Sequence, residues 1–250
     1  GFSENYNASD RVDIHDVTTG AWTTAKLSQA RMAMAVAILD NRIFFAGGFS
    51  NNGPSSRIDV YDVRSNTWST AELSKPRAYL AGAAAGNKVL FAGGFGGFYY
   101  DSTNNGLYLA DILDVSSNRW TTDTIPSLFP YEPSIAGYAG VSAAVVGDKI
   151  YLAGNASDWF HWGGGTITGA VDAYDVRTGQ WSKERDLTQP RGFIGTRVMG
   201  NKIIWAGGVS GEIVNENSVG TYSNLVEIRD MVTGVSTIGC LSRYVGFLSN

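Results

Sequence analysis

The stretch Arg42-Ile-Phe-Phe-Ala-Gly-Gly48, followed by Ile58-Asp-Val-Tyr-Asp-Val63 and then by Trp68, decides the fold. It reads as an apolar strand ending on a glycine pair, a loop, a second strand carrying two acids, a turn and a tryptophan. The first element returns as Lys88-Val-Leu-Phe-Ala-Gly-Gly94, as Lys149-Ile-Tyr-Leu-Ala-Gly154 with Asn155 in place of the second glycine, and as Lys202-Ile-Ile-Trp-Ala-Gly-Gly208. The second element returns as Val12-Asp-Ile-His-Asp-Val17, Ala110-Asp-Ile-Leu-Asp-Val115, Val171-Asp-Ala-Tyr-Asp-Val176 and Val226-Glu-Ile-Arg-Asp-Met231. Trp22, Trp120 and Trp181 occupy the position of Trp68, and Ser236 stands there in the last copy.

Each copy supplies four short strands, a sheet too thin to bury both faces unless neighbouring sheets stack around an axis. Glycine pairs allow backbones to approach where a side chain would collide, and each Trp fills space between sheets. The later acids, Asp16, Asp62, Asp114, Asp175 and Asp230, directly precede turns, where a carboxylate accepts hydrogen bonds from turn N–H groups. His15 shares its position with Tyr61 and Tyr174 and reads as a framework side chain.

The glycine pair, the acid-bearing strand and the spaced Trp, at a period of about 50 residues, resemble the kelch repeat over essentially the whole chain. The resemblance implies an all-β propeller of four-stranded antiparallel blades, about five with one incomplete, spanning 1–250 as one domain. Gly1-Phe2-Ser3 matches Gly48-Phe49-Ser50, and Ser242 to Asn250 resembles a first strand. The ends are thus complementary, one Gly-ended strand short of a closed five-blade ring, as expected of a fragment that lacks either a short segment of a five-blade ring or entire blades of a longer propeller.

In such a blade the link between the second and third strands shares one face with the link to the next blade. That face carries the long insertions, with Tyr99, Tyr131, Trp159, His161 and Trp162 as aromatic candidates for ligand contact. It also carries Leu-Ser-Gln-Ala-Arg31, Leu-Ser-Lys-Pro-Arg77 and Leu-Thr-Gln-Pro-Arg191, with Arg243 in a shortened copy and Pro133-Ser134-Ile135 in the third. In kelch recognition domains arginines at this motif position line the axial mouth and bind acidic peptides, so the resemblance assigns that role to Arg31, Arg77 and Arg191, with Tyr79, Phe193 and Tyr244 beside them. A guanidinium fork grips a carboxylate bidentately. The alternative role is purely internal, with the same arginines bonded to loop carbonyls between blades.

These residues point to a protein or peptide partner with an acidic segment; exposed aromatics also suit a glycan. The net charge of −4 argues against general affinity for nucleic acid, and no apolar run approaches the roughly 20 residues that span a bilayer. Cys240 alone favours a reducing compartment, whereas the sequons at Asn7 and Asn155 suit a secreted protein, so both locations stay open. Kelch-fold enzymes exist, copper radical oxidases among them, but His15, His161 and Cys240 match that copper site poorly. Asp101, Glu132 and Asp158 are the carboxylates available for glycosidic chemistry, and Asp101 with Asn104 for calcium, without a recognised motif. The reading is therefore a binding module with no cofactor, its metal content and oligomeric state unassigned.

Overall fold

In the computed structural model, residues 7–96, 108–128, 137–157, 167–211 and 221–243 are described. Four antiparallel sheets follow one another along the chain, each built in the same order from the axis outward. The first runs Ala35–Leu39, Arg42–Ala46, Arg57–Asp62, Thr67–Glu72, and the second Ala81–Ala85, Lys88–Ala92, Leu109–Asp114, Arg119–Thr124. The third runs Ser142–Val146, Lys149–Ser157, Ile167–Asp175, Gln180–Lys183, and the fourth Gly195–Met199, Lys202–Ala206, Leu225–Asp230, Ser236–Cys240. These are the blades expected from the repeat. A hairpin of Ser9–His15 and Trp22–Arg31 supplies the two outer strands of a further blade.

Alternation of side chains sends one face of each sheet to each neighbour. Phe44, Ile58 and Val60 of the first blade meet Val89, Phe91 and Leu113 of the second. Leu90 and Ile112 of the second meet Ile150, Leu152 and Tyr174 of the third, and Tyr151 and Val171 of the third meet Ile194, Ile203 and Trp205 of the fourth. Three apolar seams therefore hold four blades side by side.

The tryptophans work within those seams. Trp120 packs against the first seam and stacks on Phe91, with centroids 6.4 Å apart. Trp181 packs against the second and donates Nε1–H to Asp123 of the preceding blade at 2.9 Å. Trp22, whose hairpin lacks inner strands among the described residues, is 68% exposed and stacks on His15.

The glycine pairs sit where a blade's second strand meets the chain entering the next blade. A Cβ on Gly47 would lie 2.3 Å from the Arg77 carbonyl oxygen, and one on Gly154 2.1 Å from that of Arg191. Asn155 departs from the pair because in the third blade the ladder does not end there: Asn155 pairs with Thr168 and Ala156 with Ile167. Its backbone avoids the left-handed region that Gly48, Gly94 and Gly208 adopt, so a side chain is tolerated.

Candidate functional site

Where the chain enters a blade, the motif arginines turn inward. Arg31, Arg77 and Arg191 are each 0% exposed. Arg31 Nη1 donates to the carbonyls of Gly47 and Arg57, both at 2.5 Å, while Nη2 pairs with Asp59. Arg77 repeats this, with Nη1 to Gly93 at 2.6 Å and Leu109 at 2.9 Å, and Nη2 on Asp111. Burial draws both guanidinium groups below their ordinary pKa, and the paired aspartate opposes it. Arg191 bonds to Gly207 at 2.9 Å and Leu225 at 2.8 Å.

The ligand role that the resemblance gave these three arginines is therefore corrected. A side chain without exposed surface, bonded on one side to two carbonyls, ties the chain to its blade and cannot grip an outside carboxylate. In two blades the acid at this position also clamps the incoming link: Asp59 accepts the Ser28 N–H at 2.9 Å, and Glu227 accepts the Thr188 N–H at 2.9 Å.

Two blades vary this device. In the fourth, Glu227 turns to Arg229, 2.6 Å away, leaving Arg191 Nη2 without a hydrogen-bond partner. In the third, the chain enters through Gly137–Ala139, where Ala139 pairs with Ala156 as Met32 pairs with Phe49 and Ala78 with Phe95. Tyr138 consequently holds the arginine register, a correction to the alignment on Pro133-Ser134-Ile135, which lies outside the described residues. Asp172 has no arginine there; burial pushes its carboxyl pKa up, opposed by a hydrogen bond from Ser127 Oγ at 2.8 Å.

Two residues beyond the arginine, the backbone is left-handed in every blade: Ala33 at φ 53°, Tyr79 at 55°, Gly140 at 78° and Phe193 at 53°. An aromatic residue in this region is strained, and such strain concentrates at functional positions. The conformation is held by backbone bonds between blades, Tyr79 N–H to Ala33 carbonyl at 3.0 Å and Phe193 N–H to Gly140 carbonyl at 2.9 Å. It brings Tyr79 of the second blade and Phe193 of the fourth together across the hub, centroids 6.5 Å apart and nearly perpendicular. Phe49 stacks edge-on against Tyr79 at 5.8 Å.

This aromatic cluster stands over a cavity of about 640 Å³ between the innermost strands. Residue-level reading singled out Tyr79 and Phe193 but missed the cavity; the signal available was the run of Ala and Gly on strands such as Ala81–Ala85. Arg243 is exposed at the end of the link that follows the fourth blade. Tyr99, Tyr131, Trp159, His161, Trp162 and Tyr244 lie outside the described residues, as do Asp101, Asn104, Glu132 and Asp158. Among the described residues no group of three or more His, Cys, Asp or Glu is placed to hold a metal, and no helix is long and apolar enough to cross a membrane.

Repeated four-stranded sheets, joined face to face and entered through one shared hub motif, define the class of β-propeller blades. Residues 30–72 match the family model of the Kelch motif. That segment begins just before Arg31 and ends with the outer strand of the first blade, so the first blade carries a kelch motif, and the other blades repeat its strand order. No curated protein matches it. Kelch motifs in general serve protein binding.

Proposed function

We propose that this propeller binds a protein partner at the axial mouth, on the face bearing the long loops, and that the bound segment is acidic. The left-handed backbone that turns Tyr79 and Phe193 over the hub carries this reading. Two half-buried aromatic rings fixed by inter-blade bonds give a rigid apolar anchor, the kind of feature that dominates binding energy at interfaces. Arg243, exposed and without an ion pair among the described residues, supports the preference for an acidic segment. The glycan alternative rests on loop aromatics outside the described residues.

A peptide display selection, run beside a glycan array, tests the reading. Acidic peptides are expected, with affinity reduced about tenfold or more by Tyr79→Ala and more modestly by Arg243→Ala, the thermal unfolding of the Arg243 variant being unchanged. Selection of glycans alone, or peptide binding indifferent to both Tyr79→Ala and Phe193→Ala, would overturn it.

A further inference from the structure

The hairpin that precedes the first blade has an open edge. Ser9–His15 pairs with Trp22–Arg31 on one side and, among the described residues, with no strand on the other. Its counterparts Arg57–Asp62, Leu109–Asp114, Ile167–Asp175 and Leu225–Asp230 each lie between two strands. A free ladder of N–H and C=O groups is a template for a further strand.

The apolar face beside that edge is uncovered as well. In the third blade Val176 is 5% exposed and shares a cluster with Ala83, Ala85 and Leu90 of the blade before it, against which Val145 also packs. Val63 and Ile38 hold the same two places in the first blade, whose preceding unit is the hairpin, and they are 52% and 62% exposed. Charge is unmatched at the same spot. Asp114 takes an ion pair at 2.5 Å from Lys88, the first residue of the strand beside it, and Arg42, Lys149 and Lys202 hold that position in the other blades. Asp16, the matching acid of the hairpin, accepts turn N–H groups and has no cation beside it among the described residues.

We propose that this edge takes a β-strand from a separate polypeptide, in which one basic residue leads four apolar ones. The strand runs antiparallel to Ser9–His15 in the register that Arg42–Ala46 keeps on Arg57–Asp62. Its first residue pairs with Asp16, and its third and fifth face the first blade, as Phe44 and Ala46 face the second. A second copy is the poorer donor, because the strands of this pattern, Arg42–Ala46, Lys88–Ala92, Lys149–Ser157 and Lys202–Ala206, are already paired on both sides and would have to leave a blade. Tyr79, Phe193 and Arg243 take no part in this surface, which is distinct from the axial mouth.

The test is titration of the full chain with the end-capped peptide Lys-Ile-Tyr-Leu-Ala-Gly, the sequence of residues 149–154, read by calorimetry and by amide exchange. Saturable binding is expected, with exchange of Ser9–His15 slowed. A peptide with Glu in place of its Lys is expected to bind about fivefold more weakly, and Asp16→Asn to erase that difference. Ile38→Asp, at an exposed position, is expected to weaken the Lys peptide about tenfold at unchanged thermal stability. Tyr79→Ala is expected to leave this binding as it is, so the present proposal and the protein-binding reading fail separately. Absence of binding up to about 1 mM, binding that leaves the Ser9–His15 amides unprotected, or binding indifferent to both the Lys-to-Glu change and Ile38→Asp would overturn the proposal. Concentration-dependent dimerisation that protects the same amides without peptide would overturn it too, since the occupant would then be a second copy.

Discussion

Asp59 and Asp111 sit with 2% of their surface exposed, each against an arginine with none. Removing one partner of such a pair strands the other charge in a medium that solvates it poorly, at a cost of about 3–5 kcal/mol. Arg77→Ala is therefore expected to lower unfolding free energy by that amount in urea, and a variant as stable as the parent would show that the pair is dispensable. Asp172 behaves in the opposite sense. Its carboxyl pKa is raised by burial, so the unfolded chain gives up its proton at lower pH than the folded chain does. The stability tied to this group is complete below about pH 4 and is lost as pH rises through the raised value. Asp172→Asn should gain stability relative to the parent at pH 7 compared with pH 3, and an equal difference at both would refute the assignment. The same aspartate thus stabilises or penalises a blade according to whether its register partner is Arg or Tyr, a distinction invisible when the acids are aligned alone.

At the scale of the element, the turn between the two outer strands is built the same way in each blade. Asp16 accepts the N–H groups of Thr18 and Thr19, Asp62 those of Arg64 and Ser65, Asp175 those of Arg177 and Thr178, and Asp230 those of Val232 and Thr233. Those backbone bonds hold each carboxyl below its ordinary pKa. In the second blade a Lys88 ion pair adds to a bond from Ser117, and Asp114 is held at about 2. Folded values below unfolded ones mean that the contribution is present above about pH 4 and disappears as pH falls through the folded values. Denaturation midpoints should consequently drop between pH 5 and pH 2.5 (both about, on the same scale), and Asp114→Asn should flatten that drop; an unaltered profile would show that the turn bonds do not couple to folding. Glycine is equally local in cause: Gly47 is left-handed at φ 63° with a neighbouring carbonyl where its Cβ would be. Gly47→Ala should cost at least about 1–2 kcal/mol.

Over the whole molecule, stability follows the seams. Each of the four blades shares at least one apolar seam with a neighbour, while the hairpin of Ser9–His15 and Trp22–Arg31 has no inner strand partner among the described residues. Regions with few buried contacts open first. Amide exchange of Ser9–His15 is thus expected to be faster than that of Arg57–Asp62, which holds the same place in the first blade with a strand on both sides. Equal protection would mean that the hairpin is covered by further contacts.

The sequence by itself determined the blade: strand length, the glycine pair, the acid that closes the turn and the Trp at the seam are local demands, met within a few residues of the amino acid that signals them. Tertiary structure alone decided where the arginines point, since a guanidinium at a blade entrance reaches either the hub or the blade interior, and only the neighbouring aspartate and carbonyls choose. It alone fixed the register of Tyr138 through a ladder with Ala156 and its neighbours, residues distant in the chain. The cavity is of the same kind, because empty space at an axis is a property of several strands together, and no one of them encloses it.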